Sequence, residues 1–198
     1  MRNLVLVAVI LQLALIEGKT ENYKFGDIIS FERSCPCDPN KTYKHFAIYV
    51  GDTEIDGKEK GQDIFQRTGP VPGINPPKLS DCIFDKLENE HKSAAKKNIE
   101  SKDNYFDSVM KPGTKEEIIK RIKEKKGKCG VYDPINNNCE HVATYIRYGE
   151  RYSLQSGTSF EKKFQEIDKA RAAKKNMKAK LLEIKTEMDC LICVPKKG

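Results

Sequence analysis

The chain has 198 residues, a formal net charge of +7, 33% charged residues and only 38% hydrophobic ones. That length supports one domain with a sizeable core, plus tails, and the charge-rich balance assigns part of the chain to a solvated, lysine-rich extension. A basic surface favours anionic partners such as phospholipid headgroups or acidic glycans, whereas lysines dispersed among acids, with no arginine–aromatic block, argue against nucleic acid.

Residues 1–18 read as a secretory signal. Arg2 supplies the positive start, Leu4 to Ile16 is apolar except for Gln12, and Gly18 is a small residue suited to the position before cleavage. The apolar run is about 13 residues, short of the ~20 needed to span a bilayer. The expected product is therefore secreted or lumenal in the secretory pathway, and membrane-associated if the segment is retained. Arg2 and Glu17 cancel, so removal of the segment leaves the net charge at +7.

Phe25 to Phe31 predicts a first strand, and Cys35 to Thr42, with its prolines, Asp38 and Asn40, predicts a turn. His45 to Val50 reads as a second strand closed by Gly51-Asp52; His45, Ala47 and Tyr49 share one face, and Phe46, Ile48 and Val50 the other. Residues 53–61 form a charged hairpin tip, and Asp63 to Thr68 returns as a third strand with Ile64 and Gln66 on one face. Gly69 to Pro77 is a proline–glycine loop that cannot continue a ladder. Residues 78–100 fit either short strands or a lysine-rich surface segment.

Thr114 opens a capping box, and Ile118, Ile119 and Ile122 follow at helical spacing until Gly127. After a short extended piece at Val131 to Pro134, residues 136–138 cap a second helix, Cys139 to Arg147, stopped at Gly149. From Ser159 a lysine-rich helix is predicted to about Glu187, with Phe160, Phe164, Ile167, Leu181 and Ile184 as a broken apolar stripe. Such a helix can lie on an anionic membrane surface or stand in solvent.

Of the seven cysteines, Cys139 is the one whose setting calls for a free thiol; the other six suit structural or intermolecular disulfides in an oxidising compartment. Cys190 and Cys193 have metal-ligand spacing, but no second pair accompanies them, so a disulfide is the preferred reading. Asn40-Lys41-Thr42 is a glycosylation sequon if the chain is secreted.

Cys139 begins its predicted helix, where unpaired amides and the helix dipole lower a thiol pKa and can hold an oxyanion. A histidine brought to it by folding completes an activated nucleophile, and His45, opening an apolar strand, is the candidate. The histidine precedes the cysteine, so a papain-like site here would be circularly permuted. His141, two residues beyond Cys139 on the helix, points about 200° away and reads as packing or hydrogen-bonding behind the site, and Glu140 likewise turns aside from the thiol. Tyr49 shares the face of His45 and either lines the site or simply packs. His91, in a charged stretch, reads as solvated.

Asn-Cys-Glu-His-Val at 138–142, on a helix ending Ile146-Arg147-Tyr148-Gly149, follows a strand His-Phe-Ala-Ile-Tyr-Val-Gly-Asp at 45–52. Together with Tyr23 to Ile29 and the stretch from Asp103 to Arg121, these motifs resemble the lecithin retinol acyltransferase-like family, and within it the phospholipase A/acyltransferase branch, from about Tyr23 to Tyr152. The resemblance implies an α+β fold, an antiparallel sheet packed against helices in a permuted papain-like (NlpC-type) arrangement, here followed by the lysine-rich C-terminal helix. With the signal and the lysine-rich tail read from the sequence itself, the expected domains are 1–18 (signal), 19–152 (the catalytic domain that the resemblance implies) and 153–198 (basic helix and tail). The resemblance also implies a thiol-dependent phospholipid acyl hydrolase or acyltransferase, with Cys139 as nucleophile and His45 as general base, working through an acyl-thioester without metal or cofactor.

Two departures stand out. The family's second histidine, which orients the base, is matched by Gln66, whose amide can fix an imidazole tautomer but cannot stabilise an imidazolium as a charge does, so reduced activity or a catalytically inactive relative follows as an expectation. The family's hydrophobic C-terminal anchor is replaced by lysines and Cys190-Leu191-Ile192-Cys193. A glycerophospholipid substrate and an anionic membrane surface are the expected partners, with the acyl acceptor left open. Two other functions remain compatible with the same residues: a cysteine peptidase or amidase of this fold, and a secreted binding protein without turnover.

Overall fold

A computed structural model describes residues 22–35, 38–69, 81–91 and 96–172. The signal segment, the Cys190–Cys193 pair and the predicted helix beyond residue 172 lie outside the described residues. Five strands, β1 (Ile28–Cys35), β2 (Asp38–Tyr49), β3 (Ile64–Arg67), β4 (Cys82–Asp85) and β5 (Lys96–Lys102), form one antiparallel sheet in the order β4-β3-β2-β1-β5. Four helices accompany it among the described residues: α1 (Leu87–His91), α2 (Lys115–Lys125), α3 (Cys139–Tyr148) and α4 (Glu161–Ala172). The fold is α+β.

Strand alternation decides what each face buries. Ile28, Phe46, Ile48, Val50, Phe65 and Phe84 point to one side, where Ile118 and Ile122 of α2 and Val142, Ala143 and Ile146 of α3 complete the main core. The opposite side carries a smaller cluster of Ile29, Phe31, Ala47 and Ile64, joined by Tyr23, Tyr49 and Leu87. A fully buried isoleucine is worth roughly 1.5–3 kcal/mol, so the register that sends Phe46 and Ile48 to the helix side is strongly fixed. A slip of one residue turns every one of them over.

β1 and β2 run on to Cys35 and from Asp38, so the segment from Cys35 to Thr42, expected as a turn, is mostly ribbon. Thr42 to Lys44 continue the β1–β2 ladder opposite Ser34 to Glu32, and that pairing outweighs the local turn propensity of Asp38 and Asn40. The ambiguous 78–100 stretch contains β4, α1 and β5. Cys82 on β4 is disulfide-bonded to Cys129 ahead of α3, and Cys35 is also disulfide-bonded.

Two of the predicted helices form as their caps require. Thr114 accepts from the Glu117 amide while the Glu117 carboxylate accepts from the Thr114 amide, the expected capping box. Asn138, in extended conformation, accepts from the His141 amide at 3.0 Å, and Gly149 closes α3 in the left-handed region at φ 82°. Beyond α3 the chain stays on the body: Ser153, Gln155, Phe160, Phe164 and Ile167 are all buried. Phe160 and Phe164 pack on Tyr43 and Cys35 of the ribbon.

Candidate active site

Among the described residues β2 has no strand partner on its outer edge before Ala47, because β3 pairs only with Ala47 to Tyr49. That edge is closed by other means. The Gln155 side chain behaves like a missing strand: its Oε1 accepts from the Lys44 amide at 2.9 Å and its Nε2 donates to the Lys44 carbonyl at 3.2 Å. Ser159 does the same for Thr42, whose amide donates to Ser159 Oγ at 3.0 Å and whose carbonyl accepts from the Ser159 amide at 3.2 Å. In an antiparallel ladder the N–H and C=O of alternate residues leave a strand on the same side, so the edge groups of Lys44 and Phe46 both point outward there.

Cys139, a buried free thiol at the start of α3, occupies the next place along this edge. Its sulfur lies 4.0 Å from the Lys44 carbonyl oxygen and accepts from the Phe46 amide. It is therefore seated against the peptide groups on both sides of His45. The His45 ring itself leaves the strand on the Ala47 face, stacks near Phe31 at 5.9 Å between centroids, and leans toward β3, where its Nε2 lies 2.5 Å from Gln66 Oε1. Gln66 sits opposite Ala47 in the register. The structure thus brings His45 to Gln66, and seats the Cys139 sulfur against the backbone of Lys44 and Phe46, the neighbours of His45 on β2.

Electrostatics at the sulfur differ from the sequence expectation. Burial pushes the Cys139 thiol up to about 11, and the nearby Glu140 carboxylate adds to this; donation from the Phe46 and Glu140 amides and the Arg33 charge pull the other way without prevailing. The helix-start amide contributes as anticipated, but removal of the sulfur from water is the larger effect. Tyr43 and Tyr132, both electrostatically coupled to Cys139, are likewise raised by burial.

Glu140 turns away from the sulfur and is completely buried. Its oxygens accept from Tyr105 Oη at 2.6 Å, Ser153 Oγ at 2.8 Å, the Leu154 amide at 3.0 Å, and both the amide and the Nε2 of Gln155 at 3.0 Å. Burial raises its pKa in spite of these donors. His141 lies behind the site, its Nδ1 2.9 Å from the capping Asn138 Oδ1. Tyr49 packs on Tyr23 with ring centroids 5.6 Å apart. His91 is not merely solvated: its Nε2 lies 2.5 Å from Glu100 Oε2.

Several polar residues of this region went unnoticed in the sequence. Gln66 Nε2 donates to Asp85 Oδ2 at 2.9 Å and to Glu90 Oε1 at 3.0 Å. Glu90 in turn forms a partly buried ion pair with Arg33, which also hydrogen-bonds Tyr43. Asp85 and Glu90 fall in the stretch that has no clear pattern, Arg33 lies beyond the predicted end of its strand, and Gln155 follows the last recognisable motif. Among the described residues, no group of three or more His, Cys, Asp or Glu side chains is arranged to hold a metal ion.

Comparison with known proteins agrees with this architecture. The family profile described as lecithin retinol acyltransferase matches residues 21–152. The chain is 29% identical over 136 residues to phospholipase A and acyltransferase 1 of Mus musculus, covering 66% of this chain and 71% of that protein. The human protein of the same name is 31% identical over 119 residues, 58% of this chain and 65% of its own length. Lecithin retinol acyltransferase of Rattus norvegicus is 28% identical over 154 residues, 70% of this chain and 62% of its own. With the profile spanning two thirds of its sequence, including the His45 strand and the Cys139 helix, the chain belongs to the lecithin retinol acyltransferase family.

Proposed function

We propose that the protein is a thiol-dependent acyl hydrolase or acyltransferase acting on glycerophospholipids. The observation that carries this reading is the seat of Cys139: a free thiol at a helix start, its sulfur against the peptide groups that flank His45. The names of the relatives, a phospholipase A/acyltransferase and a lecithin retinol acyltransferase, supply the substrate class. The sequence order, histidine strand before cysteine helix, supports a permuted papain-like arrangement.

In the proposed reaction His45 takes the thiol proton as sulfur attacks the ester carbonyl. Because the thiol is held neutral by burial, proton transfer accompanies attack rather than preceding it. Backbone amides of the first turn of α3 stabilise the oxyanion. The carbonyl–oxygen bond of the ester then breaks, and the departing lysophospholipid alcohol takes the proton back from His45. Water, or an amine or alcohol acceptor, gives His45 a proton in turn and attacks the thioester, restoring the thiol. Gln66 orients the imidazole.

The wider setting follows from the sequence. The apolar N-terminal segment supports a secreted or lumenal protein, and the lysine-rich C-terminal region supports contact with an anionic membrane surface. The decisive experiment is intact-mass detection of an acyl adduct after exposure to phospholipid. The adduct is expected on the native protein and absent from Cys139→Ala; its absence from both sinks the acyl-transfer reading.

A further inference from the structure

We propose that Glu90 is a positioning residue of this site, acting with Asp85 through Gln66 to hold His45 as the Nε2–H tautomer; this rests on the reading of His45 as the base for Cys139. The inference starts from what each atom can do. A carboxylate only accepts hydrogen bonds, so the Gln66 atom facing both Asp85 Oδ2 (2.9 Å) and Glu90 Oε1 (3.0 Å) is its NH2 group, and both of its hydrogens are used there. The amide therefore cannot turn over, and the atom facing His45 is the carbonyl oxygen. A carbonyl oxygen also only accepts. The hydrogen on the short His45 Nε2 contact belongs to the imidazole, which leaves the lone pair on Nδ1 as its basic position.

Glu90 is suited to this by its own surroundings. It is 9% exposed, on the short helix α1 beside β3, and its second oxygen is paired with Arg33. That pairing fixes its rotamer. Asp85 is held from its other oxygen by the Lys86 amide and by Asn89 Nδ2, each at 2.7 Å. The polarity of Gln66 is thus set by two anchored carboxylates, and negative charge stands one hydrogen bond behind the amide. A neutral residue at the orienting position is compatible with turnover because the charge has moved one residue back. Arg33 links the two halves of the site, since its charge also favours the Cys139 thiolate.

The test reads the tautomer directly, without requiring turnover. The chain has three histidines, so long-range proton–nitrogen NMR correlations of the ¹⁵N-labelled full chain can be assigned by the loss of one set in His45→Gln. The expected result is a neutral His45 ring protonated at Nε2. A ring protonated at Nδ1, or a mixture of tautomers, in the native protein overturns the proposal. In Glu90→Gln, whose new amide can donate as well as accept, the tautomers are expected to mix. kcat on a short-chain phosphatidylcholine is expected to fall about 10–100-fold with KM little changed, less than the loss from removing the base itself. An unchanged tautomer with unchanged kcat in Glu90→Gln also overturns it. A native protein with the Nε2–H tautomer but no acyl adduct on Cys139 overturns the acyl-transfer reading instead.

Discussion

Gln155 joins Lys44 to Glu140, the residue before His45 to the residue after Cys139. Its amide bonds both backbone groups of Lys44, while its Nε2 and its own N–H donate to the Glu140 carboxylate. It is also the one non-glycine among the described residues with a positive φ, 48°. A strained backbone held in place by its surroundings commonly marks a functional position, and here the strained residue spans the two elements that present the candidate dyad.

Gln155→Ala and Gln155→Gly separate the two contributions. Both remove the clamp, so both are expected to lose at least about tenfold in kcat, in line with the sensitivity of positioned reactants to small displacements. Glycine relieves the positive φ and alanine does not, so the glycine variant should be the more stable by roughly 0.5–1 kcal/mol. Urea denaturation with parallel ester hydrolysis checks this; full activity in both variants removes Gln155 from the site.

The resting thiol should be a poor nucleophile without substrate. With Cys139 pushed up to about 11, the neutral thiol is the main form throughout the physiological range. Each pH unit below that value lowers the thiolate tenfold, so the fraction at pH 7 is about one in ten thousand. Iodoacetamide labelling, followed by intact mass, should therefore accelerate steadily from pH 7 to 10 without a plateau. Arg33→Gln removes a charge that favours the thiolate and should slow labelling further at every pH. A plateau near pH 7 would show a preformed thiolate and a different balance of burial and charge.

Much of this arrangement was legible in the chain because it is local. The Asn138 cap, the Cys139 helix start, the Gly149 stop and the alternation of Phe46, Ile48 and Val50 depend on neighbours within a few residues, and the structure has each of them. The pairing of His45 with Gln66 was also foreseeable, from strand parity and family likeness together. The rest of the site was not. Glu90 reaches Gln66 from a five-residue helix with no pattern of its own, and Gln155 meets Lys44 across 111 positions. The raised thiol likewise reflects burial by the whole fold, which outweighs the helix-start effect that local sequence announces.

The Cys82–Cys129 disulfide joins β4 to the segment leading into α3 and closes a loop with a sequence separation of 47. In the chain-entropy account a loop of that size is worth about 4 kcal/mol, with 2–4 typical of measured cases. The double variant Cys82→Ala, Cys129→Ala should lose about that much in urea denaturation. The consequence for the site comes through Arg67, whose guanidinium donates to the Gly130 carbonyl and lies over the Tyr132 ring. Freed from β4, the segment carrying Tyr132 should loosen beside Cys139, and iodoacetamide should reach the thiol faster than in the native protein at equal pH. Equal labelling rates would mean that the loop stays in place without the bond.

Replacing Gln66 by histidine tests the orienting position from the other direction. In the native protein the residue at 66 must do two things: accept from His45 Nε2 and donate to Asp85 and Glu90. A neutral imidazole can do both, with its N–H toward the carboxylates and its bare nitrogen toward His45. The carboxylates then act directly on a ring that can itself share positive charge, which the amide cannot. Turnover on a short-chain phosphatidylcholine is therefore expected to be equal to or higher than native for Gln66→His, and Gln66→Leu should lose at least about tenfold through the unpaired polar groups it leaves around the site. Glu90→Gln combined with Gln66→His should cancel any gain, because the new imidazole loses the charge that polarises it. A large loss in Gln66→His alone would show that position 66 does not orient His45, and that the short contact between them serves the fold rather than the chemistry.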